Sequence, residues 1–239
     1  MLGRIHSIET MGLLDGPGIR VVIFLQGCGL RCLYCHNPDT WEFSEGTEMS
    51  SEELIKKIVR YKPYFERSKG GVTFSGGEPI LQKEFLIDIL KKCKENNIHT
   101  CIDTAGYGDG DYEELLKYVD LILFDIKHIS EEGYTKVTQR KMDKSLEFLE
   151  KAQEMGKEFW IRHVVVPGVT DGEEHLENVF KMVEQINNVK KFELLPYHVL
   201  GVNKYEKLGI EYKLKGVEPM NKEYVKEKEK EFNKRLGLI

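Results

Sequence analysis

Short apolar runs alternate with amphipathic helical patterns along nearly the whole chain, and this alternation restricts the fold more than any other feature. The runs are Val21–Leu25, Gly71–Ser75, Ile98–Asp103, Leu121–Asp125, Phe159–Val166 and Lys191–Leu195. Between them lie helical stripes. One begins at about Ser51, opened by a capping box of Ser50 with Glu53, and carries Leu54, Ile55, Ile58 and Val59. The next carries Phe85, Leu86, Ile89, Leu90 and Cys93, and a short one spans about Tyr112–Tyr118. Another has Leu146, Leu149, Ala152 and Met155 on one face, one spans about Glu173–Ile186, and a charged helix from about Asn221 to residue 236 closes the chain. Strands that are apolar throughout are covered on both faces, as in a parallel sheet wrapped by helices. A complete eight-unit barrel usually takes about 250 residues. Six units and a long Gly-rich N-terminal segment in 239 residues predict an open, partial (β/α)6 TIM-like barrel. With no linker to divide it, residues 1–239 read as one domain with a core at about 15–200.

In βα architectures the active site gathers where strands run into loops. The second apolar run ends in Ser75-Gly76-Gly77-Glu78-Pro79, the third in Asp103-Thr104-Ala105-Gly106, the fourth in Asp125-Ile126-Lys127-His128 and the sixth in Pro196-Tyr197-His198. Arg162 sits near the start of the fifth and fits less well. Each alone has an ordinary reading: a tight turn at Gly76-Gly77, a helix cap at Asp103, a surface ion pair of Asp125 with Lys127, a rim histidine at His198. Their recurrence at successive strand ends favours one shared pocket. Adjacent glycines let backbone N–H groups approach a ligand closely. Asp103, Thr104 and Asp125 offer oxygens to a hard cation or to ligand donors. Lys127, Arg162 and His198 suit a ligand carboxylate. The expected ligand is small and zwitterionic.

The first run leads into Cys28, Cys32 and Cys35, spaced C-x3-C-x2-C, with no fourth cysteine nearby. An iron–sulfur cluster prefers four thiolates, so one held by three leaves an iron open to a ligand that is not protein. The competing reading is a closed zinc or electron-transfer site with His36 as fourth ligand, although three thiolates and an adjacent histidine are sterically awkward. Cys93 and Cys101 fall in apolar stripes and read as core. An odd total of five cysteines and an N-terminus without an apolar signal region point to a reducing, cytoplasmic setting. No run approaches the ~18 apolar residues that span a bilayer. A net charge of −5 gives no grip for nucleic acid or a membrane surface, and the Lys/Glu alternation near the C-terminus reads as a solvated helix face.

The cysteine loop, with Tyr34 directly before its last cysteine, resembles the signature of radical S-adenosylmethionine enzymes. Asp15-Gly16-Pro17-Gly18-Ile19-Arg20, Arg31 through Asn37, Thr73 through Pro79, and Asp103-Thr104 are similar to the glycyl-radical-enzyme activases. Trp160-Ile161-Arg162, Val164 through Pro167 and Glu193 through His198 resemble the branch that serves pyruvate formate-lyase. The resemblance runs in order from about Gly3 to Pro219. It implies a [4Fe–4S] cluster on Cys28, Cys32 and Cys35, whose fourth iron chelates the amino and carboxylate groups of S-adenosylmethionine. Tyr34, Cys35 and His36 would border that molecule, and Gly76, Gly77 and Glu78 would receive its amino end. Lys127, Arg162 and His198, with Asp125 and Ile126 alongside, would meet its carboxylate or ribose side. A monovalent cation, Na+ or K+, would sit on Asp103, Thr104, Asp125 and the Leu123 carbonyl. Asp15 and His36 would help receive the partner enzyme.

The implied reaction draws one electron from a flavodoxin or ferredoxin. Reductive cleavage of S-adenosylmethionine then gives a 5′-deoxyadenosyl radical, which removes a Cα hydrogen from a glycine of the partner. No side chain needs to act as acid or base. The implied partner is pyruvate formate-lyase, with another glycyl-radical enzyme as the alternative, and the implied state is a monomer. Related activases carry a cysteine-rich insertion before Gly-Gly-Glu-Pro. This chain has no cysteine between Cys35 and Cys93, which implies a single cluster. Gln139 follows Thr138 where relatives commonly have glycine.

Overall fold

The six apolar runs become six parallel strands that pair in chain order. A computed structural model describes all 239 residues. Its strands are β1 (Leu2–Gly12), β2 (Arg20–Leu25), β3 (Thr47–Ser50), β4 (Gly71–Gly76), β5 (His99–Thr104), β6 (Leu121–Asp125), β7 (Glu158–Val165) and β8 (Val189–Pro196). They form one sheet in the order β3-β1-β2-β4-β5-β6-β7-β8. From β2 to β8 every pairing is parallel, whereas β1 runs antiparallel to both β2 and β3.

The helices are α1 (Ser51–Val59), α2 (Lys62–Ser68), α3 (Lys83–Glu95), α4 (Glu113–Leu116), α5 (Glu131–Thr138), α6 (Asp143–Glu154), α7 (Glu173–Glu184), α8 (Val202–Leu208) and α9 (Lys222–Arg235). The Ser50–Glu53 capping box forms as expected at the start of α1, and the Asn221 side chain caps α9 by accepting from Glu223 and Tyr224. The Tyr112–Tyr118 helix shortens to the single turn of α4. In α6 the buried face is Ser145, Phe148, Leu149 and Ala152; Leu149 and Ala152 belong to the expected stripe and Met155 packs half-buried against the same core, whereas Leu146 is 40% exposed. Ser145 is drawn inward because its hydroxyl donates to the Ala105 carbonyl at 2.5 Å.

Strand alternation assigns the two faces of the sheet. Val21, Ile23, Val72, Phe74, Ile102, Ile122, Phe124, Phe159, Ile161 and Phe192 join the large core under the helices. The other face lines the inside of the barrel. Low in the barrel it carries Cys101, Leu121 and Leu123, packed against Trp160. One pleat further toward the strand ends the same face turns polar, with Ser75, Asp103, Asp125, Arg162 and Glu193. Arg162 stands in register with Asp125 on one side and Glu193 on the other. Its mid-strand position, a poor fit to the strand-end rule, therefore lies level with the end of β6 and with mid-strand Glu193 of β8.

Candidate functional site

The loop after β2 brings the three cysteines over the barrel mouth, and backbone bonds fix its course. Gly27 N–H donates to Thr40 O at 2.7 Å and Cys28 N–H to Trp41 O at 3.1 Å. At its centre Arg31 N–H donates to Thr138 O at 2.9 Å and Leu33 N–H to Val137 O at 3.0 Å, so the C-terminal turn of α5 carries the loop. Gln139 ends α5 in the left-handed region, at φ 60°, a conformation that favours glycine. On the far side, the Tyr205 hydroxyl on α8 donates to Cys35 O at 3.0 Å. Lys204 reaches Asn37 Oδ1 at 2.9 Å and Asp39 Oδ1 at 3.1 Å.

The Gly-Gly-Glu-Pro turn packs directly beneath. Gly76 has φ +109°, and a Cβ on Gly77 would stand 2.2 Å from the Gly27 carbonyl oxygen, so neither position admits a side chain. Glu78 N–H donates to that same carbonyl at 2.9 Å. The Glu78 carboxylate is buried and accepts from the Thr104 hydroxyl and from Ala105 N–H at 3.0 Å. Burial pushes its pKa up to about 7 against those two bonds.

Together these elements enclose a cleft of about 240 Å3. Of the expected site residues, Cys28, Cys32, Tyr34, Cys35, His36, Gly76, Gly77, Glu78, Asp103, Thr104, Asp125, Lys127 and Arg162 line it. Asp15, Leu123, Ile126 and His198 stand back from it. Ile126 is buried in the outer core, and Leu123 is buried low in the barrel. His198 stacks its ring on His36 at 3.9 Å, and its carbonyl meets His36 Nε2 at 3.0 Å. It therefore backs His36 and does not face the cleft. Asp15 lies on the loop whose Leu14 carbonyl accepts from Arg162. The sequence reading missed Trp41, which lines the cleft, takes the Cys28 N–H on its carbonyl and has its ring 4.8 Å from the Arg31 guanidinium. It also missed Leu30, Val164 and Leu195, the apolar walls, and Glu193, which is level with Arg162 on an inward-facing pleat.

Charges in the cleft are paired but unequal. Lys127 Nζ lies 2.6 Å from Asp125 Oδ2. Burial opposes its charge, yet Asp125 beside it holds its pKa well above the ordinary lysine value. Arg162 reaches Glu193 at 3.1 Å and Asp103 at 3.7 Å. Asp103 Oδ2 accepts from Ser75 at 2.7 Å, and burial pushes its pKa up to about 6 against the pull of Arg162. Three carboxylates (Glu78, Asp103, Asp125) thus face two fixed cations (Lys127, Arg162) in the lining. A zwitterion carrying one additional positive charge complements that excess.

The thiols fit an iron–sulfur cluster better than a single ion. Burial raises all three pKa values, Cys32 to about 12, so a metal must displace their protons. No three His, Cys, Asp or Glu side chains converge tightly enough to hold one metal ion, whereas the irons of a cluster are separate. His36 Nε2 is engaged by the His198 carbonyl, so the zinc reading is left with its Nδ1 alone. The buried Tyr34 hydroxyl lines the same cleft without a hydrogen-bond partner.

Comparisons with known proteins agree with this geometry. The Radical SAM superfamily profile matches residues 22–182. The chain is 59% identical to a pyruvate formate-lyase-activating enzyme of Clostridium pasteurianum, over 96% of this chain and 97% of that one. It is 49% identical to the enzyme of the same name from Staphylococcus epidermidis, over 94% and 93%. Among solved structures, a domain of pyruvate-formate lyase-activating enzyme from Bacteroides vulgatus superposes with a TM-score of 0.56 at 25% identity, covering 71% of this chain and 96% of that domain.

Proposed function

Because the chain belongs to the radical S-adenosylmethionine superfamily, and within it to the pyruvate formate-lyase-activating enzymes, we propose that it installs a glycyl radical on pyruvate formate-lyase. The observation that carries this reading is the convergence of a three-cysteine loop, the Gly76-Gly77-Glu78 turn and the charged ends of β5, β6 and β7 on one cleft. When bound there, a [4Fe–4S] cluster and S-adenosylmethionine supply reductive S–C cleavage and hydrogen-atom abstraction, chemistry that side chains do not provide.

The protein's contribution is ligation, charge and exclusion of water. Cys28, Cys32 and Cys35 hold the cluster and leave one iron free. Glu78 and the glycine backbone would accept from the amino group of S-adenosylmethionine, whose nitrogen lone pair goes to the open iron, while Lys127 and Arg162 would meet its carboxylate or ribose side. Asp125 and Asp103 balance the sulfonium, and with Thr104 and the Leu123 carbonyl they are the ligands we assign to a Na+ or K+ ion. Two carboxylates on adjacent strand ends support that assignment. Tyr34, Leu30, Trp41, Val164 and Leu195 wall the cleft, which matters because a reactive primary alkyl centre attacks whatever lies nearest. His198 acts through its stack on His36, and Ile126 through its backbone. Asp15, on the loop held by Arg162, and His36 are the residues we assign to the partner's glycine segment. No residue is assigned as an acid or base.

A flavodoxin or ferredoxin is the electron donor we infer, acting on a monomer in a reducing cytoplasm. No helix is long and apolar enough to cross a membrane. The test is anaerobic reconstitution with iron and sulfide, then reduction with S-adenosylmethionine and pyruvate formate-lyase. A doublet radical signal on the partner together with 5′-deoxyadenosine is expected. Release of 5′-deoxyadenosine with no radical on that partner would reject it as the substrate, and release of neither would reject the function.

A further inference from the structure

β7 presents neighbouring side chains to opposite faces of the sheet. Arg162 enters the cleft, and His163, 1% exposed, points to the helix side. There its Nδ1 meets the Ile126 carbonyl at 2.7 Å. The N–H of Ile126 donates to the Arg162 carbonyl at 2.9 Å. The residue between Asp125 and Lys127 is therefore held at both its amide and its carbonyl, and on the cleft side those two neighbours close their 2.6 Å ion pair.

The tautomers follow from the partners. A carbonyl only accepts, so Nδ1 of a neutral His163 carries the proton and Nε2 is an acceptor. His175, in the first turn of α7, meets that atom with its own Nε2 at 3.1 Å and must be the donor. The third ring, His128, lies 4.5 Å from His175 and accepts the Ser130 N–H on its Nδ1 at 3.1 Å. These rings are not gathered around a metal ion. Burial pulls the His163 pKa down to about 3 and the His175 pKa to about 4, so both stay neutral and the donor direction is fixed.

We propose that His163, oriented by His175, is a positioning residue for S-adenosylmethionine binding, setting through the Ile126 carbonyl where Lys127 and Asp125 stand in the cleft. This rests on the reading that Lys127 faces that molecule. A ring that merely filled space would leave the carbonyl bond without consequence, so the pair of variants that separates the two is His163→Phe and His163→Asn. Phe keeps the ring and loses the donor. Asn places a side-chain N–H close to where Nδ1 stood.

The reconstituted His163→Phe enzyme should bind S-adenosylmethionine about tenfold more weakly and show a KM raised by the same factor. Its kcat and iron content should be unchanged, and Asn should restore most of the affinity. In the metal-free protein, amide hydrogen exchange across residues 125–128 should quicken for Phe and not for Asn. Wild-type affinity and exchange in His163→Phe, or an Asn variant as weak as Phe, would overturn the proposal. If His163→Phe does not fold, the half-buried His175→Leu carries the test, with the same direction of change expected in KM and exchange and unchanged values overturning it. Lys127→Met separates the layers. Unchanged affinity there removes the reading of the cleft, whereas weakened binding there with a wild-type His163→Phe removes only the positioning role.

Discussion

Replacing any one of Cys28, Cys32 and Cys35 by Ala should abolish iron–sulfur loading, and with it both 5′-deoxyadenosine release and the radical on the partner. Each thiolate is expected to hold its own iron, and the chain offers no spare thiolate. Cys93 and Cys101 are fully buried elsewhere in the core. The fold itself should survive. The loop is carried by backbone bonds to Thr40, Trp41, Val137 and Thr138, and the three cysteines are only partly buried residues. The metal-free variants should therefore lose no more than about 1 kcal/mol of stability, read from denaturant unfolding alongside iron and sulfide content. Activity retained by any single variant contradicts the ligand assignment.

Arg162→Met should be the most damaging change outside the cysteine loop. The side chain is 9% exposed and neutralises Asp103 and Glu193, each 17% exposed, while also holding the Leu14 carbonyl. Removing one partner of a buried ion pair costs about 3–5 kcal/mol, because the remaining charges are left uncompensated. The pH dependence identifies the cause. Asp103 already has a folded-state pKa of about 6, above its unfolded value, because burial outweighs the pull of Arg162. Stability from such a group is complete below the unfolded pKa and is lost as pH rises through the folded one. Without Arg162 the folded pKa climbs further. The deficit of the variant against wild type should then be smallest near pH 4 and grow toward neutrality. A deficit that is flat with pH would show that lost packing, not stranded charge, is responsible.

Much of this architecture was legible because buried parallel strands must be apolar on both faces. The six runs followed from that requirement, and the polar residues where they end stood out against it. The antiparallel β1 and β3 did not, since an edge ribbon half open to solvent tolerates Arg4, His6, Ser7 and Glu9 and shows no continuous apolar run. Helices α5 and α8 were hidden for a related reason: α5 buries only Tyr134, Val137 and Thr138, and α8 only Tyr205. Yet α5 supports the cysteine loop through its last carbonyls, which gives Gln139 a closer connection to the site than its place in the sequence implied. At the site, spacing located the ligands but not the walls. Trp41 carries no motif of its own and Glu193 was legible only as part of a matching segment, so only the fold shows that they meet Arg31 and Arg162. His198 obeyed the strand-end rule, but the chain turns after Pro196 and stacks it behind His36.

The central claim is that one iron is left by the polypeptide for S-adenosylmethionine to chelate. Hyperfine spectroscopy of the reduced, reconstituted protein tests this most directly, using S-adenosylmethionine labelled with 15N at the amino group and 13C at the carboxylate. Both labels should couple to the cluster spin, and the coupling should vanish when unlabelled compound displaces the labelled one. A cluster that shows no coupling to either label and carries a fourth ligand from the chain itself would contradict the account.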